Sequence, residues 1–123
     1  MVEKIILIGE SFSIIQTIIK KQIESHNCKV LTATDGEGLL KVLEENVIDI
    51  ILLNPNIFMI NGIECIKAIR SLSDPKKAKI PIIAITANAY KYDINQFKLM
   101  GFDNYIEKPI NFELLIDMIK NIE

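Results

Sequence analysis

The 123-residue sequence has no tryptophan, a single histidine and two cysteines. It also has no apolar run approaching the ~18 residues that a membrane-spanning helix requires. Met1-Val2-Glu3-Lys4 leads straight into a strand-like segment, which leaves no room for a signal peptide. A soluble cytoplasmic protein is expected. Cys28 and Cys65 are widely spaced, with neither a CxxC pair nor a histidine ligand pattern, so they read as buried thiols in a reducing compartment. Charge of one sign is also lacking: 14 basic residues face 16 acidic ones, for a net charge of −2. That balance argues against nucleic acid as a main partner, because neutralising phosphates takes clustered Lys and Arg. The one basic cluster, Lys76-Lys77-Ala78-Lys79, reads as a solvated loop before a strand. Linkers and repeats are absent too. Residues 1–123 are expected to form one domain with no effector domain attached, so that any output passes through a partner in trans.

What is present is an alternation of strand-like and helix-like segments, repeated five times. Continuous apolar runs suit strands buried on both faces, which places strands at Glu3–Ile8, Lys29–Ala33, Ile48–Leu53, Ile82–Ile85 and Asn104–Ile106. The first helix follows Glu10. Ser13 and Gln16 have the spacing of a capping box, and Ile14, Ile15, Ile18, Ile19 and Ile23 supply an apolar face. A second helix spans Gly36 to Glu45, with Asp35 as N-cap and Leu39, Leu40 and Leu43 inward. A third starts near Gly62, with Ile63, Ile66 and Ile69 spaced by three. A fourth runs from Lys91 to Met100 and stops at Gly101, and the last covers Asn111 to Ile122. Five βα units with right-handed crossovers predict a doubly wound, flavodoxin-like α/β sandwich, and the strand order 2-1-3-4-5 suits a chain this short.

In such a sheet, ligands sit beyond the carboxyl ends of the strands. Glu10, Asn54, Thr86 and Lys108 are therefore expected to converge on one pocket. Asn54 precedes Pro55, which favours extended geometry, so it could simply terminate its strand.

Taken together these residues resemble the response regulator receiver domain, the CheY-like module of two-component and phosphorelay signalling, over nearly the whole chain. The resemblance rests on Glu10 after the first strand, on Asp49-Ile-Ile-Leu-Leu-Asn54 with Gly62 beyond it, on Thr86-Ala87, on Tyr105, and on Lys108-Pro109. It implies a non-enzymatic module in which an aspartate after the third strand takes a phosphoryl group from a phosphohistidine. Two acidic residues after the first strand, that aspartate and a backbone carbonyl two residues on would hold Mg²⁺. The positions of Thr86, Ala87 and Lys108 would contact the phosphoryl oxygens, and Thr86 and Tyr105 would form the switch. The partners implied are a histidine kinase, a phosphotransfer protein or another signalling protein.

The chain departs from that pattern at two points. Gly9 replaces one member of the acidic pair, and the phosphoacceptor position is Asn54. An amide nitrogen is delocalised into its carbonyl and forms no stable acyl phosphate. The remaining metal donors would be Glu10 and the Asn56 carbonyl, for which weak or absent Mg²⁺ binding is expected. The family's pocket sets three carboxylates against one lysine, whereas here one carboxylate faces one lysine. Glu10 is thus expected to pair with Lys108, with Asn54 bridging them by hydrogen bonds.

Several alternatives stand beside this reading. Asn54 could replace a native aspartate to trap an inactive form, although Gly9 speaks against a single engineered change. A flavin-binding protein of the same topology would use Gly9, Ser11 and Ser13 as a phosphate loop, but Glu10 would repel the phosphate. Phe58 stands where the family often has proline. Tyr90 and Tyr92 are either packing residues or partner contacts. His26 reads as a helix-end residue. On the first helix, Phe12 and the five isoleucines spread over about half the circumference, wider than packing on a sheet needs. Either the helix is deeply set or it docks onto kinase or phosphotransfer helices, and exposure of Ile14 or Ile15 distinguishes the two.

Overall fold

Continuous apolar strands are stable only where both faces of a sheet are covered. The computed structural model, which describes residues 4–55, 62–86 and 94–122, has that arrangement. Strands β1 (Ile5–Gly9), β2 (Lys29–Ala33), β3 (Ile50–Leu53), β4 (Ile82–Thr86) and β5 (Asn104–Glu107) form one sheet. Every pairing is parallel and the order is β2-β1-β3-β4-β5, the order expected. The helices are α1 (Ser13–Glu24), α2 (Gly36–Glu45), α3 (Gly62–Arg70), α4 (Pro75–Ala78), α5 (Ile94–Met100) and α6 (Phe112–Lys120).

Alternation along the strands divides the core in two. Ile6, Ile8, Ile50, Leu52, Ile83 and Ile85 face one way and pack with Ile19 and Ile23 of α1 and Leu115, Ile116 and Ile119 of α6. Leu7, Ile51, Leu53, Ile82 and Ala84 face the other way, against Leu39 and Leu43 of α2, Ile66 and Ile69 of α3, and Phe97 of α5. The register brings Gly9 opposite Ala33 and Leu53, Leu53 opposite Ala84, and Thr86 opposite Glu107. The carboxyl ends of the four inner and edge strands β1, β3, β4 and β5 therefore finish side by side, which places the site.

Several local expectations hold. Asp35 caps α2, its Oδ1 accepting the Gly38 N–H at 2.7 Å. Gly101 follows α5 at φ 106°, where an added Cβ would lie 2.3 Å from Ile66 Cγ2, so both conformation and close approach call for glycine.

Others are corrected. The capping box does not form: Phe12 is the N-cap of α1 and Ser13 is already helical, with no side-chain cap. The Gln16 amide instead reaches back and donates to the carbonyls of Glu10 and Ala33, both at 3.2 Å, because the first turn lies over the ends of β1 and β2. Lys76-Lys77-Ala78 is not loop but part of the one-turn α4, started by Pro75 with its pre-set φ and by Asp74, whose Oδ1 accepts the Lys76 N–H. β3 starts at Ile50 rather than Ile48: the Asp49 N–H still donates to Ile5 O at 2.8 Å, but the Ile5 N–H turns to the Asp49 side-chain Oδ2 at 2.7 Å instead of to a β3 carbonyl. Leu40 is only partly buried, and so is Cys28, on the face opposite the buried Cys65. The Ile63 side chain, and residues 91–93 at the expected start of α5, lie outside what is described. Among the described residues, no helix is long and apolar enough to cross a membrane.

Candidate functional site

Each strand end carries its polar residue into the site through a backbone hydrogen bond to its neighbour. The Glu10 N–H donates to Ala33 O at 3.1 Å, the Asn54 N–H to Gly9 O at 2.9 Å, and the Lys108 N–H to Thr86 O at 2.9 Å. These bonds extend the parallel ladder one residue past β1, β3 and β5, so the three side chains emerge at the same level. Thr86 itself ends β4 and is buried.

Glu10 is the centre of the group and is only 2% exposed. A carboxylate that far from water requires donors around it. Lys108 Nζ lies 3.0 Å from its Oε1, with the lysine side chain 23% exposed. The Asn54 side-chain NH₂ donates to Oε2 at 3.0 Å and to Oε1 at 3.3 Å. The Phe12 N–H, at the start of α1, reaches Oε2 at 3.4 Å. Because an ionised carboxylate only accepts, the amide must turn its NH₂ toward Glu10. Among the described residues no buried side-chain nitrogen or oxygen lacks a partner. The structure thus brings together Glu10, Asn54 and Lys108, with Thr86 adjoining through its backbone.

Not every predicted site residue can be placed. Asn56 and Ala87 lie outside the described residues, as do Phe58, Tyr90 and Tyr92. Gly9 closes β1 and has no side chain to offer the pocket. Among the described residues, no group of three or more His, Cys, Asp or Glu side chains is placed to hold a metal ion. The loop after β1 gives the flavin alternative no support, since its Phe12 N–H is directed at a carboxylate rather than left for a phosphate.

Tyr105 lies two pairings in from the Thr86–Glu107 pair, opposite Ala84 on β4, and is half-buried. Its ring stacks on Phe97 of α5, with centroids 4.8 Å apart and planes at 19°. Neither this contact nor the Gln16 tether was expected. Gln16 has a sequence signal, its spacing from Ser13, but that spacing fits two geometries. Phe97 has no such signal beyond being an apolar position on an amphipathic helix. On the outer side of α1, Phe12, Ile14 and Ile18 are exposed, Ile14 by 75%, and Ile15 is partly buried. That resolves the width of the apolar face: α1 is not deeply set.

A five-stranded parallel sheet ordered 2-1-3-4-5, with an acid, an amide, a threonine and a lysine at its carboxyl ends, defines a flavodoxin-like, doubly wound α/β protein with a strand-end site. The chain belongs to the response regulator receiver domain family, whose model matches residues 6–120. It is a receiver domain of two-component signalling. It is 32% identical over 124 residues to the hybrid signal transduction histidine kinase I of Dictyostelium discoideum, covering 97% of this chain and 7% of that protein. It is 32% identical over 111 residues to the alkaline phosphatase synthesis transcriptional regulatory protein PhoP of Bacillus subtilis, covering 90% of this chain and 44% of that protein. The chain therefore spans less than half the length of these curated relatives. Among solved structures it is similar to the receiver domain of a Pseudomonas aeruginosa sensor histidine kinase, with a TM-score of 0.87, 26% identity and 98% of each chain covered. That structure holds a magnesium ion coordinated in its active-site cleft. The chemotaxis response regulator CheY4 of Vibrio cholerae shares the fold, with a TM-score of 0.85 at 22% identity over 99% of this chain and all of that one.

Proposed function

We propose that this receiver works as a protein–protein contact module that does not accept a phosphoryl group at Asn54. The observation that carries the reading is the closed hydrogen-bonded set in which Lys108 and the Asn54 amide both donate to Glu10. Acyl-phosphate chemistry requires a carboxylate oxygen as nucleophile, and the amide nitrogen at this position has its lone pair committed to its carbonyl. The family's metal has no better footing. A hard divalent cation takes oxygen ligands, and the carboxylate present here is already opposed by an ammonium at 3.0 Å. The described residues do not fit Mg²⁺, and Thr86, Ala87 and Lys108 have no phosphoryl group to contact in this reading.

The natural partner is a histidine kinase or a phosphotransfer protein in the cytoplasm, rather than nucleic acid or membrane. The exposed Phe12, Ile14 and Ile18 on α1 support this, because a helix with an apolar outer ridge docks onto other helices. Bound there without turning over a phosphoryl group, the module would hold one signalling state or compete with an intact receiver for the same kinase. The test is incubation with a small-molecule phosphodonor and Mg²⁺, followed by intact-mass measurement. No adduct is expected. A gain of one phosphoryl mass on the intact chain would overturn the reading. Asn54→Asp in the same assay is expected to react weakly at most, since Gly9 still leaves the metal a ligand short.

A further inference from the structure

We propose that Phe97 fixes Tyr105 in a single orientation against α5, so that the β5 aromatic does not follow events in the strand-end pocket. The inference rests on the reading above and says how the output face behaves once the pocket is closed. Tyr105 lies flat on Phe97, with centroids 4.8 Å apart and planes at 19°. Phe97 cannot yield, because it is 1% exposed and meets the buried ring of Phe102 edge-on, at 5.8 Å and 77°. The three rings form a chain from β5 through α5 to the segment after Gly101. Opposite Tyr105 in the ladder stands Ala84, whose methyl leaves room for the tyrosine ring on that face of the sheet.

A residue reports a pocket event only if it has two arrangements close in free energy and the event favours one of them. For Tyr105 to swing away, it must give up the stacked contact and uncover the flank of Phe97, a ring otherwise shielded from water. Thr86 ends β4 two residues beyond Ala84, and its carbonyl holds the Lys108 N–H, while the lysine ammonium is committed to Glu10. The groove beside the tyrosine, about 520 Å³ and lined by Ile94, Asn104, Glu107, Leu114 and Met118 among others, then keeps one shape. A partner that reads this face meets the same surface in every state of the pocket.

The test is solution NMR of the full chain with ¹³C-labelled tyrosine, assigning Tyr105 through Tyr105→Phe. In the unmodified protein one Tyr105 ring environment is expected, with close contacts to Phe97. Glu10→Gln, which changes the pocket, is expected to leave the Tyr105 orientation in place. Phe97→Leu, which keeps the position apolar, is expected to convert the single orientation into an average of two or more. A Tyr105 that already averages in the unmodified protein would overturn the proposal, as would one that reorients in Glu10→Gln. Neither of these depends on a Phe97 variant that folds. An unchanged single orientation in folded Phe97→Leu would overturn it as well. A phosphoryl adduct in the mass assay would sink the reading of the pocket and leave the Tyr105 result to be decided separately.

Discussion

Glu10 is the residue on which the site turns, because Lys108, the Asn54 amide and the Phe12 N–H all donate to its two oxygens. Removing Lys108 leaves a carboxylate that is 2% exposed with only neutral donors. Lys108→Met is expected to cost about 2–4 kcal/mol, near the lower part of the range for breaking a buried pair since the lysine is partly solvated. Glu10→Gln should cost less, about 1–2 kcal/mol, because the freed ammonium can turn to water while the amide keeps the shape. Urea denaturation of both variants checks the order, and a larger loss in Glu10→Gln would contradict it. The second prediction at this scale concerns Cys65, whose thiol burial pushes up from 9.0 to about 11. Between those values the unfolded chain has lost a proton that the folded chain retains. Stability attributable to this group is therefore full below about pH 9 and falls as pH rises toward 11. Denaturation midpoints measured across that range should drop more steeply in the natural protein than in Cys65→Ala. Parallel slopes would show that the thiol titrates alike in both states.

At the scale of elements, α1 separates what patterning shows from what it cannot. The isoleucine spacing marks a helix, and its excess width marks two apolar sides. Which side meets the sheet emerges only from packing, where Ile19 and Ile23 go inward and Ile14 and Ile18 stay outside. The start of the helix was not legible. Ser-x-x-Gln is the spacing of a reciprocal cap, yet Gln16 finds two carbonyls at the ends of β1 and β2 instead. Strand interiors could be read because both faces are apolar. Strand ends could not, since Asp49 replaces a ladder bond with its own carboxylate. The outer ridge gives a direct prediction. Ile14→Asp and Ile18→Asp should change stability by no more than about 0.5 kcal/mol, as expected for exposed positions away from the core. The double variant should lose about tenfold or more in affinity for a histidine kinase or phosphotransfer domain that the natural chain binds, measured by titration calorimetry. Undiminished binding would move the docking surface elsewhere.

For the molecule as a whole, the doubly wound topology explains why residues 44 and 98 positions from Glu10 share one pocket and why the sequence alone points to it. Parallel strands must end at a common edge, so the loop residue after each of them shares that edge. The charges at the edge were countable from the residues at the positions that the family resemblance assigns to the pocket: one carboxylate, Glu10, and one lysine, Lys108. What lay beyond reach was the stacking of Phe97 on Tyr105, which depends on how α5 seats on the sheet rather than on any local pattern. Restoring the missing acids in Gly9→Asp/Asn54→Asp should convert the neutral edge into one that attracts a divalent cation. That variant is expected to melt higher with Mg²⁺ and to be destabilised without it by the crowding of like charges.

The most direct test of the central claim uses the natural chain and one ion. If Lys108 and Asn54 satisfy Glu10 without metal, calorimetric melting in millimolar Mg²⁺ should match melting in its absence. A rise of several degrees would mean that a cation site exists at the strand ends and would contradict a self-satisfied pocket.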